Sequence, residues 1–317
     1  MVTVCRVDVN ASCDRLLEAV AKTDTNIPRR ENQMIMAAHS RSFKIHVPAT
    51  SANIGPGFDV VGISLSLYLT LSVTVPIPNP SKSHPNTGEL PSISYTGEGA
   101  DEVPLDAYKN LTTRVALYVL RCSGVQSFPH GMTLNVHNEI PFGRGLGSSG
   151  AAVIAGVILG DALGRLGLSR ARMLDFALMV ERHPDNVTAA LVGGFVGSYL
   201  RELDPSATQA ASVPLSEVLP EYPPDAGPDW GRDPPPPLPP VGIGHYVRFD
   251  WAKEIRAVAI IPRFELSTAT AREVLPQSYS RKDVVRTHSL ITGRQSSKLV
   301  TFVCIFNRSS TCSALLF

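Results

Sequence analysis

Pro141-Phe142-Gly143-Arg144-Gly145-Leu146-Gly147-Ser148-Ser149-Gly150 runs straight into the small-residue stretch Ala151 to Leu166. The second stretch reads as a closely packed helix. The first places glycines where a chain must turn tightly. Glycines just before a helix let successive backbone N–H groups converge on an anion, and the helix dipole adds positive potential there. A P-loop is excluded, because no Gly-Lys-Ser or Gly-Lys-Thr triplet closes the run. Gly145, Gly147 and Gly150 satisfy the dinucleotide pattern G-x-G-x-x-G in form. That fold wants a buried strand leading into the first glycine and an acidic residue about 20 positions on. Here Pro141 and Phe142 interrupt the approach, and Asp161 and Asp175 stand at other distances. Two readings stay open: a phosphate cradle, or a glycine turn that only lets a helix pack closely.

Outward from this loop, hydrophobic spacing predicts the neighbouring elements. Upstream, Asn110 to Cys122 reads as a helix and Met132 to His137 as an alternating strand. Downstream, Ser169 is placed to cap a helix through Arg182, which Pro184 ends. Asp185 or Asn186 then caps a short helix stopping at Gly193-Gly194, and Phe195 to Leu200 follows as a strand. Nearer the start, Phe43 to Val47 alternates as a short strand and Pro48 to Phe58 is turn-rich. Ile63, Leu65, Leu67, Leu69, Leu71, Val73 and Val75 then alternate with polar residues, the period of a half-buried strand and not of a membrane helix. Residues 76–108 read as loop. Residues 214–240 hold eleven prolines, a density that predicts a linker or surface insertion and a domain boundary inside it. From Tyr246 to Ile261 structured patterning resumes.

Composition bounds the function. A length of 317 residues allows two domains at about 150 residues each. Lys plus Arg (29) nearly balances Asp plus Glu (28), which argues against a nucleic-acid surface. Hydrophobic residues at 44% and charged residues at 18% describe a globular protein without a membrane span. The start of the chain carries no charged segment followed by an apolar block, and its six basic and five acidic side chains up to residue 42 make a poor transit peptide. Five cysteines, without metal spacing, suit a reducing compartment, and the cytoplasm is the expected location.

Two further motifs carry chemistry-bearing side chains. Glu181-Arg182-His183-Pro184-Asp185-Asn186 gathers a carboxylate, an imidazole and an amide at one helix junction. Taken alone, helix capping and surface ion pairing account for it slightly better than a ligand does. Pro48-Ala49-Thr50-Ser51-Ala52-Asn53-Ile54-Gly55-Pro56-Gly57-Phe58-Asp59 is a tight loop of small and polar residues ahead of the long strand. Alone it could be a simple turn.

Taken together and in this order, the motifs resemble those of the GHMP small-molecule kinases, and within them the homoserine kinases of fungal type. Ser51-Ala52-Asn53 through Gly57-Phe58-Asp59 is the specific part. Pro141 to Gly150 resembles the family's ATP-phosphate loop, His183-Pro184-Asp185-Asn186 with Gly193-Gly194 its third landmark, and Ser267-Thr268-Ala269 through Arg272, then Leu275-Pro276, the opening of its second half. The resemblance spans about residues 43–285.

The resemblance implies an α+β GHMP kinase fold: a ribosomal-protein-S5 domain 2-like N-terminal domain and a ferredoxin-like C-terminal domain, with ATP and substrate between them. It divides this chain into a poorly ordered extension (1–42), the ATP-binding domain (43–213), a Pro-rich linker or insertion (214–244) and a partial C-terminal domain (245–317). By the same resemblance, Asn110, Pro141, Gly143, Arg144, Gly145, Leu146, Gly147, Ser148 and Ser149 hold ATP, and Ser149 with Glu181 ligates Mg2+. Hard oxygen donors are what Mg2+ requires. Asn53, Asp59, His183 and Arg272 hold L-homoserine: an ammonium needs an acceptor such as Asp59, and a carboxylate suits the guanidinium of Arg272. Asn186 is the preferred catalytic residue, orienting the reacting groups without acting as a base, and Asp185 is the alternative base.

The implied reaction is ATP-dependent phosphorylation of homoserine on the route to threonine, with neither nucleic acid nor membrane as partner and a homodimer as one expected assembly. The rival readings are another GHMP kinase with a different small alcohol, a non-catalytic nucleotide-binding remnant, and an oxidoreductase resting on the formal glycine match alone. No counterpart of the family's Ser-Gly-x-Gly-Pro loop or its further substrate arginine follows Arg272, and no Asp or Glu occurs from Val284 to Phe317. The C-terminal domain is therefore expected to be incomplete and truncated, its tail poorly packed, and this chain weakly active or inactive.

Overall fold

The computed structural model describes residues 40–54, 57–77 and 90–251 except 224, 226, 228 and 232, together with the strands Thr3–Val7, Leu17–Glu18 and Ala257–Ile261 and residues 278 and 280–282. Among these residues nine strands and six helices run in the order β1 (Thr3–Val7), β2 (Leu17–Glu18), β3 (Ser40–Ala52), β4 (Val61–Pro76), β5 (Ser92–Gly97), α1 (Leu111–Cys122), β6 (Thr133–Asn138), α2 (Ser148–Gly164), α3 (Arg170–Glu181), α4 (Pro184–Val192), β7 (Phe195–Leu200), α5 (Pro205–Ala211), α6 (Leu215–Val218), β8 (Gly244–Phe249) and β9 (Ala257–Ile261).

β4 organises the seven-stranded sheet. It pairs antiparallel with β3 along most of its length. On its other edge its first residues, Val61 to Ile63, take β7, while Leu69 to Thr74 take β6. One long strand thus serves two partners, which its sixteen residues allow. β5 adds parallel to β6, and β8 adds antiparallel to β7. β1 and β9 form a separate antiparallel pair. Inward-facing Phe43, Ile45, Val47, Leu69, Leu71, Val73, Leu134 and Val136 are buried, and serines, threonines and histidines alternate with them on the opposite face. The period of two read from the sequence is this division.

The helices cover the apolar face, with α2 at their centre. α2 touches α1, α3, α4 and β3, so it is apolar all round. Its glycines face α1: a methyl at Gly156 would strike the Thr112 carbonyl and the Val115 side chain, and one at Gly160 would strike Val119. The small residues therefore bring two helices closer than larger side chains would allow. α1 begins where the sequence predicts, with Asn110 as its cap. Ser169 caps α3, accepting from the Arg172 N–H at 3.2 Å.

Several boundaries differ from the sequence expectation. β3 continues through Pro48 to Ala52, beyond the expected turn. It keeps its pairing by a shift in register at Pro48/Ala49, where proline has no N–H to give the ladder. β5 lies within the stretch read as loop. α2 starts at Ser148, inside the glycine motif. Pro184 is the first residue of α4, whose cap position is His183 and not Asp185 or Asn186. Proline suits that position because its missing N–H would have no helical partner there.

The proline-rich residues lie along the helices. The Tyr118 hydroxyl donates to the Pro237 carbonyl at 2.7 Å, and Arg121 donates to the Gly231 carbonyl at 2.9 Å. Arg114 donates to the Leu219 carbonyl at 2.7 Å and also to that of Pro220. Tyr108, Tyr222 and Trp230 form an aromatic cluster with ring centroids 5.3–5.8 Å apart, Tyr108 and Tyr222 stacked and Trp230 inclined to both. Asp175, 2% exposed, accepts from the N–H groups of Gly242 and Ile243 and from Arg172, which also donates to the Pro240 carbonyl. β8 follows directly. It falls in the range read from sequence as the C-terminal domain, and its ladder is with β7. The expected ferredoxin-like elements, the tail 284–317 and most of residues 1–42 lie outside the described residues. Among the described residues no helix is long and apolar enough to cross a membrane.

Asp175 therefore fastens the proline-rich segment, and Cys122 reports on it. Burial pushes the Cys122 thiol up to about 12, beneath the carbonyls of Pro236 and Pro237. Asp175→Ala leaves two buried N–H groups unpaired and is expected to cost about 2–3 kcal/mol in urea denaturation. Alkylation of Cys122 at pH 8.5, followed by peptide mass spectrometry, should be slow in the parent protein and faster in the variant. The folded thiol keeps its proton above the unfolded value of about 8.5, so this contribution to stability is present below that pH and fades as pH rises toward 12.

Candidate active site

The glycine loop takes the conformation its composition requires. Gly143, Gly145 and Gly147 have φ of 62°, 70° and 64°. Left-handed residues at every second position turn the intervening N–H groups toward one side, the geometry of an anion-binding nest. The loop ends at the start of α2, whose cap is Gly147 and whose first turn has neither a side-chain cap nor an acidic residue. Its first N–H groups therefore lack the partner that a capping side chain would supply. Gly143, Gly145 and Ser149 are exposed, whereas Leu146 and Gly150 are buried and anchor the loop. Pro141 and Phe142 are half-buried, and the Phe142 ring lies against Gly99. The Arg144 Nε donates to the Phe142 carbonyl at 3.2 Å.

Three segments distant in sequence meet at this loop. From β3, the Thr50 N–H donates to the Leu146 carbonyl at 3.0 Å. From α4, Asn186 brings its Oδ1 to within 2.7 Å of the Thr50 hydroxyl, which donates to it. Gly147 is wedged between the two, and a methyl there would overlap the Thr50 hydroxyl. Ser149, in the first turn of α2, donates its hydroxyl to Glu181 Oε1 at 2.9 Å. Glu181 is the last residue of α3. The turn between α3 and α4 is tight because Arg182 takes a positive φ of 62°. Glu181 before the reversal and His183 and Asn186 after it are all half-buried.

Asp185 is turned inward. It is 1% exposed, and its Oδ1 accepts the Asn186 N–H at 2.8 Å. Its backbone carbonyl packs on Gly62 at the start of β4, where no side chain would fit. Asn53 and Asp59 come together at the mouth of the loop before β4. Both have positive φ, 59° and 54°, and the Asp59 N–H donates to Asn53 Oδ1 at 2.8 Å. Asn110 stands apart from the loop: it is buried, its Oδ1 accepts from Thr112 and Thr113, and its Nδ2 donates to the Pro104 carbonyl. Ser148 is half-buried beside Gly147. Arg272 lies outside the described residues. Thr50, at the centre of the junction, was not among the residues singled out from sequence. Its signal is a hydroxyl within a run of buried β3 positions.

Comparisons with known proteins identify the family. Residues 110–194 match the model for the GHMP kinases N terminal domain. Over 247 residues the chain is 54% identical to a homoserine kinase of Saccharomyces cerevisiae, covering 77% of this chain and 68% of that protein. It is 46% identical over 246 residues to a homoserine kinase of Schizosaccharomyces pombe, covering 77% of this chain and 66% of that one. The chain thus spans about two thirds of the length of these relatives. A solved homoserine kinase of Cytophaga hutchinsonii shares the fold at 22% identity, with a TM-score of 0.52 over 84% of this chain and 68% of that one. A nest opening α2, a carboxylate bonded to its first turn and an amide bonded to β3 accompany the identity with the fungal relatives, and the chain belongs to the homoserine kinases of the GHMP kinase family.

Proposed function

We propose that the protein transfers the γ-phosphoryl group of ATP to the side-chain hydroxyl of L-homoserine, releasing ADP and a proton and giving O-phospho-L-homoserine. The observation that carries this reading is the convergence on one loop of an anion nest, the Ser149–Glu181 pair and the Asn186 amide, in a chain 54% identical to a homoserine kinase. Phosphoryl transfer passes through a loose transition state, so placing the reactants and neutralising charge supply most of the rate. The N–H groups from Gly143 to Ser149 supply donors to the phosphate oxygens. Asn186 stands beside them as a neutral donor or acceptor that orients the reacting groups. It suits that part better than Asp185, whose carboxylate is turned into the fold.

Ser149 and Glu181 fit a magnesium ion: two hard oxygen donors already within 2.9 Å of each other, next to the phosphate loop. Mg2+ bound there would offset charge on the phosphates. Asn53, Asp59 and His183 offer polar groups to the substrate's ammonium end, with Arg272 for its carboxylate. Asn110 contributes to ATP binding through the backbone it holds at the start of α1.

The substrate test compares alcohols: homoserine should be phosphorylated far faster than mevalonate or galactose, and equal rates with mevalonate would sink the assignment. Glu181→Gln should lower turnover by orders of magnitude at unchanged circular dichroism; a near-normal rate would remove Glu181 from the metal site. Gly147→Ala introduces a methyl where Thr50 already sits, at a φ of 64°. It should weaken ATP binding by about tenfold or more, as displacement of the cradle by even 1 Å would, measured by titration with a fluorescent ATP analogue.

A further inference from the structure

Thr50 touches both the glycine loop and Asn186 yet has no part in the reaction as described. It is fully buried. Its N–H holds the Leu146 carbonyl of the glycine loop at 3.0 Å, and its hydroxyl donates to Asn186 Oδ1 at 2.7 Å. A carboxamide has two ends of similar size and opposite chemistry: the oxygen accepts, and the NH2 group donates. Phosphoryl oxygens are acceptors. An amide presenting its oxygen to them would repel, whereas one presenting Nδ2 would bind the charge that develops during transfer. Rotation about the last side-chain bond of an asparagine is nearly two-fold, so the side chain alone does not choose between these ends. Thr50 makes the choice, because its hydroxyl hydrogen needs an acceptor inside a buried site.

We propose that Thr50 is a positioning residue for phosphoryl transfer: its hydroxyl holds the Asn186 carboxamide by Oδ1 and so directs Nδ2 to the reacting groups. The proposal rests on the kinase reading above. Gly147 is part of the same device. Only a residue without a side chain lets the Thr50 hydroxyl reach Asn186 past the start of α2.

Thr50→Val keeps the shape and removes the hydroxyl, and Thr50→Ser keeps the hydroxyl and removes the methyl. With the purified protein, Thr50→Val should lower kcat about 10- to 100-fold while KM for ATP and homoserine moves by less than about threefold. Thr50→Ser should recover most of the loss. A packing role would give the opposite order, valine milder than serine, and that order would overturn the proposal. If valine prevents folding, Thr50→Ala takes its place and serine must still exceed it. A second arm needs no turnover. A double-mutant cycle of Thr50→Val and Asn186→Ala, read by urea denaturation, should give a combined shift smaller than the sum of the single shifts. Additive shifts would show that the contact does not exist. Should the parent protein bind ATP but fail to phosphorylate homoserine, the functional reading falls, and the cycle alone decides whether Thr50 holds the amide.

Discussion

The site depends on a place where nothing larger than a hydrogen fits. At Gly147 the start of α2, the inner residue Thr50 of β3 and the first turn of α4 come into contact, and a methyl on that α-carbon would collide with the Thr50 hydroxyl. Each neighbouring constraint follows from keeping this contact. α2 must be buried so that its first turn cannot drift, and its run of buried residues from Gly150 to Gly160, broken only at Ala152, ensures this. Its glycines at 156 and 160 let α1 press close and fix its axis. The reversal at Arg182 must be sharp enough to bring α4 beside the end of α3, and Gly62 must be bare so that Asp185 can lean on β4.

Much of the secondary structure was legible because periodicity and capping signals agreed. The alternation from Ile63 to Val75, the caps Asn110 and Ser169, and the strand from Phe195 all stand where the residues indicate. The misread segments share a physical origin. Pro48 looks like the start of a turn, because proline breaks a ladder; β3 absorbs it with a register shift and continues. Pro184 looks like a stop, and it is a start, because the helix it opens needs no N–H at that position. β5 went unread because Ser92 to Gly97 offers only Ile93 as a fully buried apolar residue, too little pattern to detect. In the site, the polar groups could be named from sequence, but the Thr50–Asn186 bond spans 136 residues and is a product of sheet order.

The proline-rich segment makes the same point about composition. A density of prolines leaves room for only the short helix α6 and excludes an inner strand, but it does not exclude contact. Prolines leave their carbonyls available, and α1 and α3 supply donors: Tyr118 to Pro237, Arg114 to Pro220, Arg172 to Pro240. Asp175 does the reverse, accepting two N–H groups at the far end of the segment, just before β8. The segment is held by donors and acceptors that helices bring to it, a pattern no local reading of 214–240 contains.

Charge explains why the site combines the side chains it does. A nest of N–H groups at a helix start attracts anions, and a carboxylate set beside it would compete with a bound phosphate. Glu181 is such a carboxylate, tied to Ser149 in the first turn of α2. Left with the phosphates alone, it would repel them. In the proposed reaction a divalent cation between them would make the same carboxylate a ligand and would offset that repulsion. Asn186 faces the opposite problem. In the role proposed for it, an ionised side chain would either repel the phosphate or bind it too firmly to release it. A neutral amide avoids both, at the cost of having two chemically opposite ends. The hydroxyl of Thr50, buried on β3 and bonded to Oδ1, would settle that ambiguity under the role proposed for it.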